Sequence, residues 1–296
     1  MARQVDIAAE VGRPNLLVNG SFRIYQRPNN ASPASGTFGP DRWQFTLNGS
    51  STFASCSTGI MGGGAFIALN GTFTYNAGDG MVWQKIVLSD GNMYSLRNRP
   101  LSLSMQVYVT TAGATRIFIS SDGTGGAYWW SPVLNTPNTY VTLTCTSAPI
   151  PIDATYVNAG LYMQGSTQFW MAEAMLVQGS QPCTYQPLPA ADELARCMRY
   201  YENSITSAGG EIIVRGYSSA AGAYWDTGLL WRTVKAVTPT VTKVGSWACV
   251  NCATSMPNVY NQSACGCRLE ISAGGTGDTY AYPANSGNQL TSEANP

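Results

Sequence analysis

The sequence predicts an all-β protein: an antiparallel β-sandwich, one short helix after it, and a smaller β domain beyond. Three observations carry this. Short runs rich in β-branched and aromatic residues recur at regular spacing, each bounded by Gly, Asn, Ser or Pro. Within the runs apolar and polar residues alternate. In LSLSMQVYVT, Leu101, Leu103, Met105, Val107 and Val109 share one face and Ser102, Ser104, Gln106, Tyr108 and Thr110 the other. Charged residues make up only 11% of the chain, against roughly 25% in an average soluble protein, so neutral polar groups must supply much of the solubility.

Taken in order, residues 1–14 hold a weakly helical VDIAAEV closed by Gly12 and Pro14, and are expected to form an attachment peptide outside the core. From Asn15, NLLVNGSFRIYQR is expected to turn at Asn19-Gly20 and enter the sandwich as a strand. RWQFTL, GAFIALN, MVWQKIVL, LSLSMQVYVT, TRIFISS, TYVTLTCTS, YVNAGLYMQ and FWMAEAMLV supply further strands, which sets the sandwich at residues 15–188. Pro187 and Pro189 then block continuation of the last strand.

A helix follows within residues 189–203. Asp192 and Glu193 fall in its first turn and Arg196 and Arg199 later, complementing the helix dipole and allowing an Asp192–Arg196 pair. Leu194, Cys197, Met198 and Tyr201 form its apolar stripe, which must pack on something because so short a helix is marginal in water. Strand patterns resume in GEIIVRGYSS, AYWDTGLLWRTV, TVTKVGSWACV and CRLEISA, making residues 204–296 a β domain whose last stretch, YPANSGNQLTSEANP, reads as a loose or partner-bound polar tail.

Composition removes several function classes. Sixteen basic and sixteen acidic side chains cancel, and no segment collects Lys or Arg, so no nucleic-acid partner is expected. MARQVDIAAEVGRPN has no apolar signal region and no run approaches the ~18 apolar residues of a membrane span, so synthesis in the cytoplasm and no membrane partner are expected. Histidine is absent, which removes the usual general base near neutral pH and every Ser-His or Cys-His nucleophile pair. The chain is therefore read as a non-enzyme, with no cofactor.

Two separated stretches carry a resemblance. NLLVNGSFRIYQR followed by PDRW (Pro40 to Trp43) resembles the opening of the carbohydrate-binding-type jelly-roll domains of bacteriophage tail-fibre and head-fibre proteins. MLVQGSQPCTYQPLPAADELARCMRYYE, Met175 to Glu202, is similar to the way such domains end: a last strand, a Gly-Ser turn, a T-Y-x-P exit and an E-L-A-x-C-x-R-Y-Y helix. RTVKAVTPTVT, Arg232 to Thr242, resembles the strand and Pro-Thr turn that follow. The resemblance implies a jelly-roll sandwich in a virion protein assembled as a homotrimer, joined to other virion proteins through its N-terminal segment and meeting host-surface glycan. A capsid decoration protein that stabilises the particle is the alternative, and a glycan-degrading tailspike a third reading.

Candidate site residues follow from chemistry. A sugar ring stacks its C–H face on Trp or Tyr while polar neighbours take its hydroxyls. Tyr128, Trp129 and Trp130, after the Gly-rich GTGGA, are the candidate carbohydrate-binding residues, the alternative being a subunit interface. Trp83, Tyr162 and Trp170 read as core by their place in strands. Cys249, Cys252, Cys265 and Cys267 are spaced so that a zinc site, a disulfide or buried free thiols all stay open, while no metal is assigned. Asn19 and Glu173, on the expected first and last strands, offer oxygens for calcium without an evident second carboxylate. Asp122, Asp153, Glu173, Glu211, Asp226 and Asp278 are scattered and form no recognisable catalytic pair.

Overall fold

A computed structural model of the chain describes residues 13–27, 31–61, 66–205, 213–255, 257–283 and 289–295. The expected attachment peptide lies outside the described residues except for Arg13 and Pro14. The chain divides into two compact units, Met1–Leu194 and Ala195–Pro296.

The first unit carries β1 (Gln44–Leu47), β2 (Thr52–Met61), β3 (Phe66–Thr74), β4 (Gly80–Val87), β5 (Leu101–Val109), β6 (Thr115–Ser121), β7 (Tyr128–Trp130), β8 (Val141–Thr146), β9 (Tyr156–Met163) and β10 (Thr167–Gln178), with a 3-10 segment at Asp90–Leu96. They form two five-stranded antiparallel sheets, ordered β1-β4-β9-β6-β7 and β2-β3-β10-β5-β8. This is the expected jelly-roll sandwich. Alternation builds its interior: Phe45, Val82, Ile117 and Leu161 of the first sheet meet Phe53, Phe73, Met105, Val107 and Phe169 of the second in one buried cluster. Phe53 sits at its centre, with ring centroids 5.1 Å from Phe45, 5.3 Å from Phe73 and 5.9 Å from Phe169, within the range of favourable aromatic pairs.

The face of β5 expected to meet solvent is partly covered. Ser102 Oγ donates to Gly179 O (2.8 Å) and Ser104 Oγ to Cys183 O (2.7 Å), so the segment leaving β10 folds back over that end of the sheet and buries both serines. A buried hydroxyl needs such a partner, and here the covering chain supplies it.

NLLVNGSFRIYQR is not a regular strand. Its side chains make a buried hydrogen-bond hub instead, and both Asn19 (φ 57°) and Phe22 (φ 58°) are left-handed, which no strand tolerates. Asn19 Oδ1 accepts from Ile24 N (3.0 Å), its Nδ2 donates to Ile24 O (2.8 Å) and Asp41 O (3.3 Å), and its carbonyl accepts from Trp43 Nε1 (2.9 Å). Asn15 Oδ1 accepts from Leu176 N (3.0 Å) and its Nδ2 donates to Ala174 O (2.9 Å), tying the segment to β10. Gln84 exchanges two 2.8 Å bonds with the backbone of Val18. Asp41 accepts from Gln26 N (3.1 Å) and pairs with Arg27 (3.5 Å).

The helix, α1 (Ala190–Met198), starts just after Pro189, whose carbonyl accepts from Asp192 N and Glu193 N, both at 3.1 Å. Its buried face differs from the expected stripe. Cys197 and, unexpectedly, Glu193 (5% exposed) are buried, Leu194 and Met198 are half-buried, and Tyr201 is buried but lies beyond the helix in the next strand. Glu193 turns inward because Asn19 N donates to its Oε1.

The second unit, for which the sequence predicts a β domain, carries β11 (Tyr201–Ile205), β12 (Val214–Ser218), β13 (Tyr224–Leu230), β14 (Thr240–Val244), β15 (Trp247–Val250), β16 (Asn258–Tyr260), β17 (Gly266–Ser272), β18 (Gly277–Pro283) and β19 (Gln289–Glu293). These pair as β11-β19-β14, β12-β18-β15 and β13-β17-β16 around Trp231, Trp247, Leu269, Ile271 and Leu290. The expected loose tail is thus corrected for residues 289–295, while residues 284–288 and 296 lie outside the described residues. β19 is the central strand of its sheet, held on both sides by backbone pairing and by fully buried Leu290. Lys235 Nζ, also buried, pairs with Glu202 Oε2 at 2.7 Å and donates to Met198 O.

Gly20 cannot carry a side chain, since a Cβ there would stand 2.2 Å from Ala174 O, a backbone atom that cannot yield. Gly20→Ala should destabilise the first unit by about 1–3 kcal/mol, seen as a lower urea midpoint for the probes of that unit. An unchanged midpoint would show that the hub is not what fastens β10.

Candidate functional site

Tyr128, Trp129 and Trp130 form β7, the edge strand of the first sheet, and alternation sends them to opposite faces. Trp129 turns inward and packs against the sandwich core, and its carbonyl accepts from Cys145 Sγ at 3.1 Å. Tyr128 and Trp130 stand on the outer face with rings stacked at 5.2 Å and 10°. The other side of Trp130 is also occupied. Phe118 opposes Trp130 in the register, which sets Arg116 one step beyond it and away from Tyr128, and the Arg116 guanidinium lies 4.1 Å from the Trp130 ring centroid. Trp130 is therefore held between a tyrosine and a cation. Tyr162, 4.9 Å from Trp130, closes the cluster, its hydroxyl pushed up to about 12 by burial and by its bond to Asp79. Only Tyr128, 52% exposed, offers an open ring.

The outer face of the second sheet assembles a different set. A cleft of about 220 Å³ is floored by Ser104 and Gln106 of β5, Thr142 and Thr144 of β8 and Glu173 of β10, and walled by residues 182–185. The polar half of each alternating strand supplies the floor. A bulge in β10 between Ala172 and Met175, with Glu173 in the left-handed region (φ 51°), re-aims the carboxylate so that Gln106 Nε2 donates to Glu173 Oε2 at 2.7 Å. One step along the strands, Trp170 pairs in register with Tyr108. Their rings meet edge to face at 4.7 Å, and Tyr140 lies 5.0 Å from Tyr108, its hydroxyl raised by burial and by Tyr108. All three are half-buried. A polar floor with both donors and acceptors beside aromatic rings is chemistry suited to a sugar.

This site was missed at the level of sequence. Trp170, read there as core, faces outward between the buried Phe169 and Met171, because alternation gives it the opposite face from its neighbours. Tyr162 and Trp83 likewise stand on the outer face of the first sheet, Tyr162 buried there by its aromatic neighbours and Trp83 bonded to Thr46 Oγ1 at 2.8 Å. The signal available was the polar half of LSLSMQVYVT, whose Gln106 and Tyr108 need a reason to sit beside a tryptophan on the next strand.

The oxygens weighed for calcium are engaged elsewhere: the Asn19 side chain serves backbone groups and Glu173 takes the Gln106 amide. Asp122 accepts from Thr155 N (2.8 Å) and Tyr156 N (2.9 Å), and Asp153 from Thr124 N and Oγ1 (2.9 and 2.7 Å). Burial raises the Asp122 carboxyl, but the hydrogen bonds from Thr155 and Tyr156 outweigh it; those from Thr124 lower Asp153. Both are held below the usual carboxylate range, the reverse of what a glycosidic general acid requires.

The eight cysteines are free thiols. Burial, followed by the nearby Cys252, pushes Cys249 up to about 12; Cys267 lies in the core of the second unit and Cys265 is exposed. Among the described residues no group of three or more His, Cys, Asp or Glu side chains gathers as a metal site.

No family model matches the chain, and no curated protein matches it. Among solved structures, a putative sugar binding protein from Bacteroides thetaiotaomicron VPI-5482 is 11% identical over 56% of this chain and 100% of its own, with a TM-score of 0.37. A CBM4 structure is 16% identical over 54% of this chain and 97% of its own, at 0.35. The enzymatically active domain of tailspike protein 4 of bacteriophage CBA120 is 12% identical over 55% of this chain and 21% of its own, at 0.36. These likenesses assign no ligand to this chain.

A thiol reagent at neutral pH should modify Cys265 first, with the buried Cys56, Cys145 and Cys267, raised by burial to about 11 or 12, reacting only on unfolding. Peptide mapping after timed labelling checks the order. Early labelling of Cys267 would mean that its strand opens in the native state.

Proposed function

We propose that the first unit is a non-catalytic glycan-contacting module and that the chain serves as a fibre or spike of a bacteriophage virion. The observation that carries the glycan reading is the pairing of the Gln106–Glu173 floor with the Tyr108–Tyr140–Trp170 cluster on one sheet face. The bonded amide and carboxylate are pre-oriented, so that a sugar hydroxyl meets a donor and an acceptor held in place before binding, which lowers the ordering cost. Its volume suits one ring, below the ~300–1,000 Å³ of drug-sized pockets.

The virion assignment rests on the resemblance carried by the opening segment and the helix. In this reading the protein is a homotrimer, the N-terminal segment attaches it to other virion proteins, and the sandwich face meets host-surface glycan. Tyr128 is a peripheral contact on the opposite sheet.

Glycan-array binding of the purified protein tests it. For uncharged glycans, Trp170→Ala and Glu173→Gln should each weaken binding about tenfold or more, with circular dichroism confirming the fold, while Tyr128→Ala changes it less than about twofold. Loss with Tyr128→Ala alone would move the site to the first sheet. Binding of no glycan, with particles that lose stability when the protein is absent yet still adsorb to cells, would replace this reading by the decoration protein.

A further inference from the structure

The first sheet ends in a second concavity, of about 180 Å³, lined by Lys85, Ser89, Tyr94, Arg97, Thr155 and Tyr156. Two cations face it, each laid on an aromatic ring. Lys85 Nζ is 4.9 Å from the centroid of Tyr156, and the Arg97 guanidinium 4.5 Å from that of Tyr94. Arg97 donates from Nε (2.8 Å) and Nη2 (2.5 Å) to Ala154 O, which fixes the plane of its fork on a neutral acceptor. Among the described residues neither Lys85 nor Arg97 has a carboxylate within ion-pair distance.

The carboxylates nearby keep their charge but lie outside the lining and have other partners. Asp122 is held by Thr155 and Tyr156, Asp153 by Thr124, and Asp90 has a partner of its own. Asp153 sends its field to Arg97, but it is fully exposed, where solvent and salt screen it. The lining itself holds two positive groups and no carboxylate, so an anion seated between the rings meets Lys85 and Arg97 at closer range than any of these acids.

The register extends the site. Lys85, Asn158, Ser120 and Tyr128 stand side by side across β4, β9, β6 and β7. At about 4.8 Å per strand, the pocket lies roughly 14 Å from the exposed ring of Tyr128, with Asn158 Nδ2 bonded to Ser120 Oγ (3.3 Å) between them. We infer that the Lys85/Arg97 pocket binds an oxyanion, the carboxylate or sulfate of an acidic saccharide, whose further units lie along this row toward Tyr128. The inference does not depend on the cleft of the second sheet.

Calorimetric titration at constant ionic strength, with sodium sulfate, glucuronate, glucose and a galacturonate tetramer as probes, tests it on the full chain. Sulfate and glucuronate should bind and glucose should not. Lys85→Gln and Arg97→Gln, each of which replaces the cation by a neutral amide, should weaken both anions about tenfold or more. Glu173→Gln, in the other cleft, should leave them unchanged. The tetramer should bind more tightly than glucuronate, and Tyr128→Ala should remove that gain. Anions that bind no better than glucose, or equally well to wild type and Lys85→Gln, overturn the pocket. A tetramer no tighter than glucuronate overturns the saccharide and leaves a site for a free oxyanion. Because Glu173→Gln separates the two faces, failure here is distinguishable from failure of the glycan reading of the cleft.

Discussion

The first unit depends on one buried asparagine. Asn19 satisfies its own left-handed turn, the backbone of Ile24 and Asp41 and, through its carbonyl, the indole of Trp43, while its N–H meets the carboxylate of Glu193. A chain that enters a sandwich without a regular strand would leave these groups unpaired and buried, at a cost of about 1–3 kcal/mol each. The hub removes that cost, and with Asn15 it fastens residues 15–24 to β10. Motif residues here have structural reasons: Gly20 because Ala174 O leaves no room for a Cβ, Phe22 because its ring packs 4.7 Å from Trp43, and Asp41, farther along, because Gln26 and Arg27 point at it.

The second unit has its own version of this logic. Glu202, at the end of the helix motif, and Lys235, in RTVKAVTPTVT, are two marks of the resemblance far apart in sequence, and they meet as a buried ion pair. Burial lowers the Lys235 ammonium, and the bond to Glu202 opposes that shift. Such a pair contributes little net stability over an apolar pair, but loss of one partner leaves a buried charge, so the two must change together.

The strands were legible where one face is apolar and the other polar. LSLSMQVYVT, MVWQKIVL and FWMAEAMLV show it, because a period of two identifies the inward residues without knowledge of the partner strand. The opening segment was not, since its hydrogen bonds reach residues 41, 84, 174 and 193, and no local pattern encodes such partners. The tail differs from its reading for the same reason: QLTSE is polar by count, yet its pairing with β11 and β14 makes it a central strand. Of the candidate site, YWW was visible as composition, but whether a ring has an open face depends on Arg116, one strand away.

That last point separates aromatic residues that bind from those that build. Two Trp side chains in the candidate triad are already covered, one by the core and the other between Tyr128 and Arg116, and a ring with both faces in contact gains nothing further by stacking. Trp170 and Tyr108 meet edge to face instead, a geometry that leaves ring surface exposed beside a polar floor. The motif residues hold the fold together and are turned inward. The surface chemistry lies on the half of each strand that alternation frees, which is why the motif residues of the hub and the helix inform the architecture and name no residue that would touch a ligand.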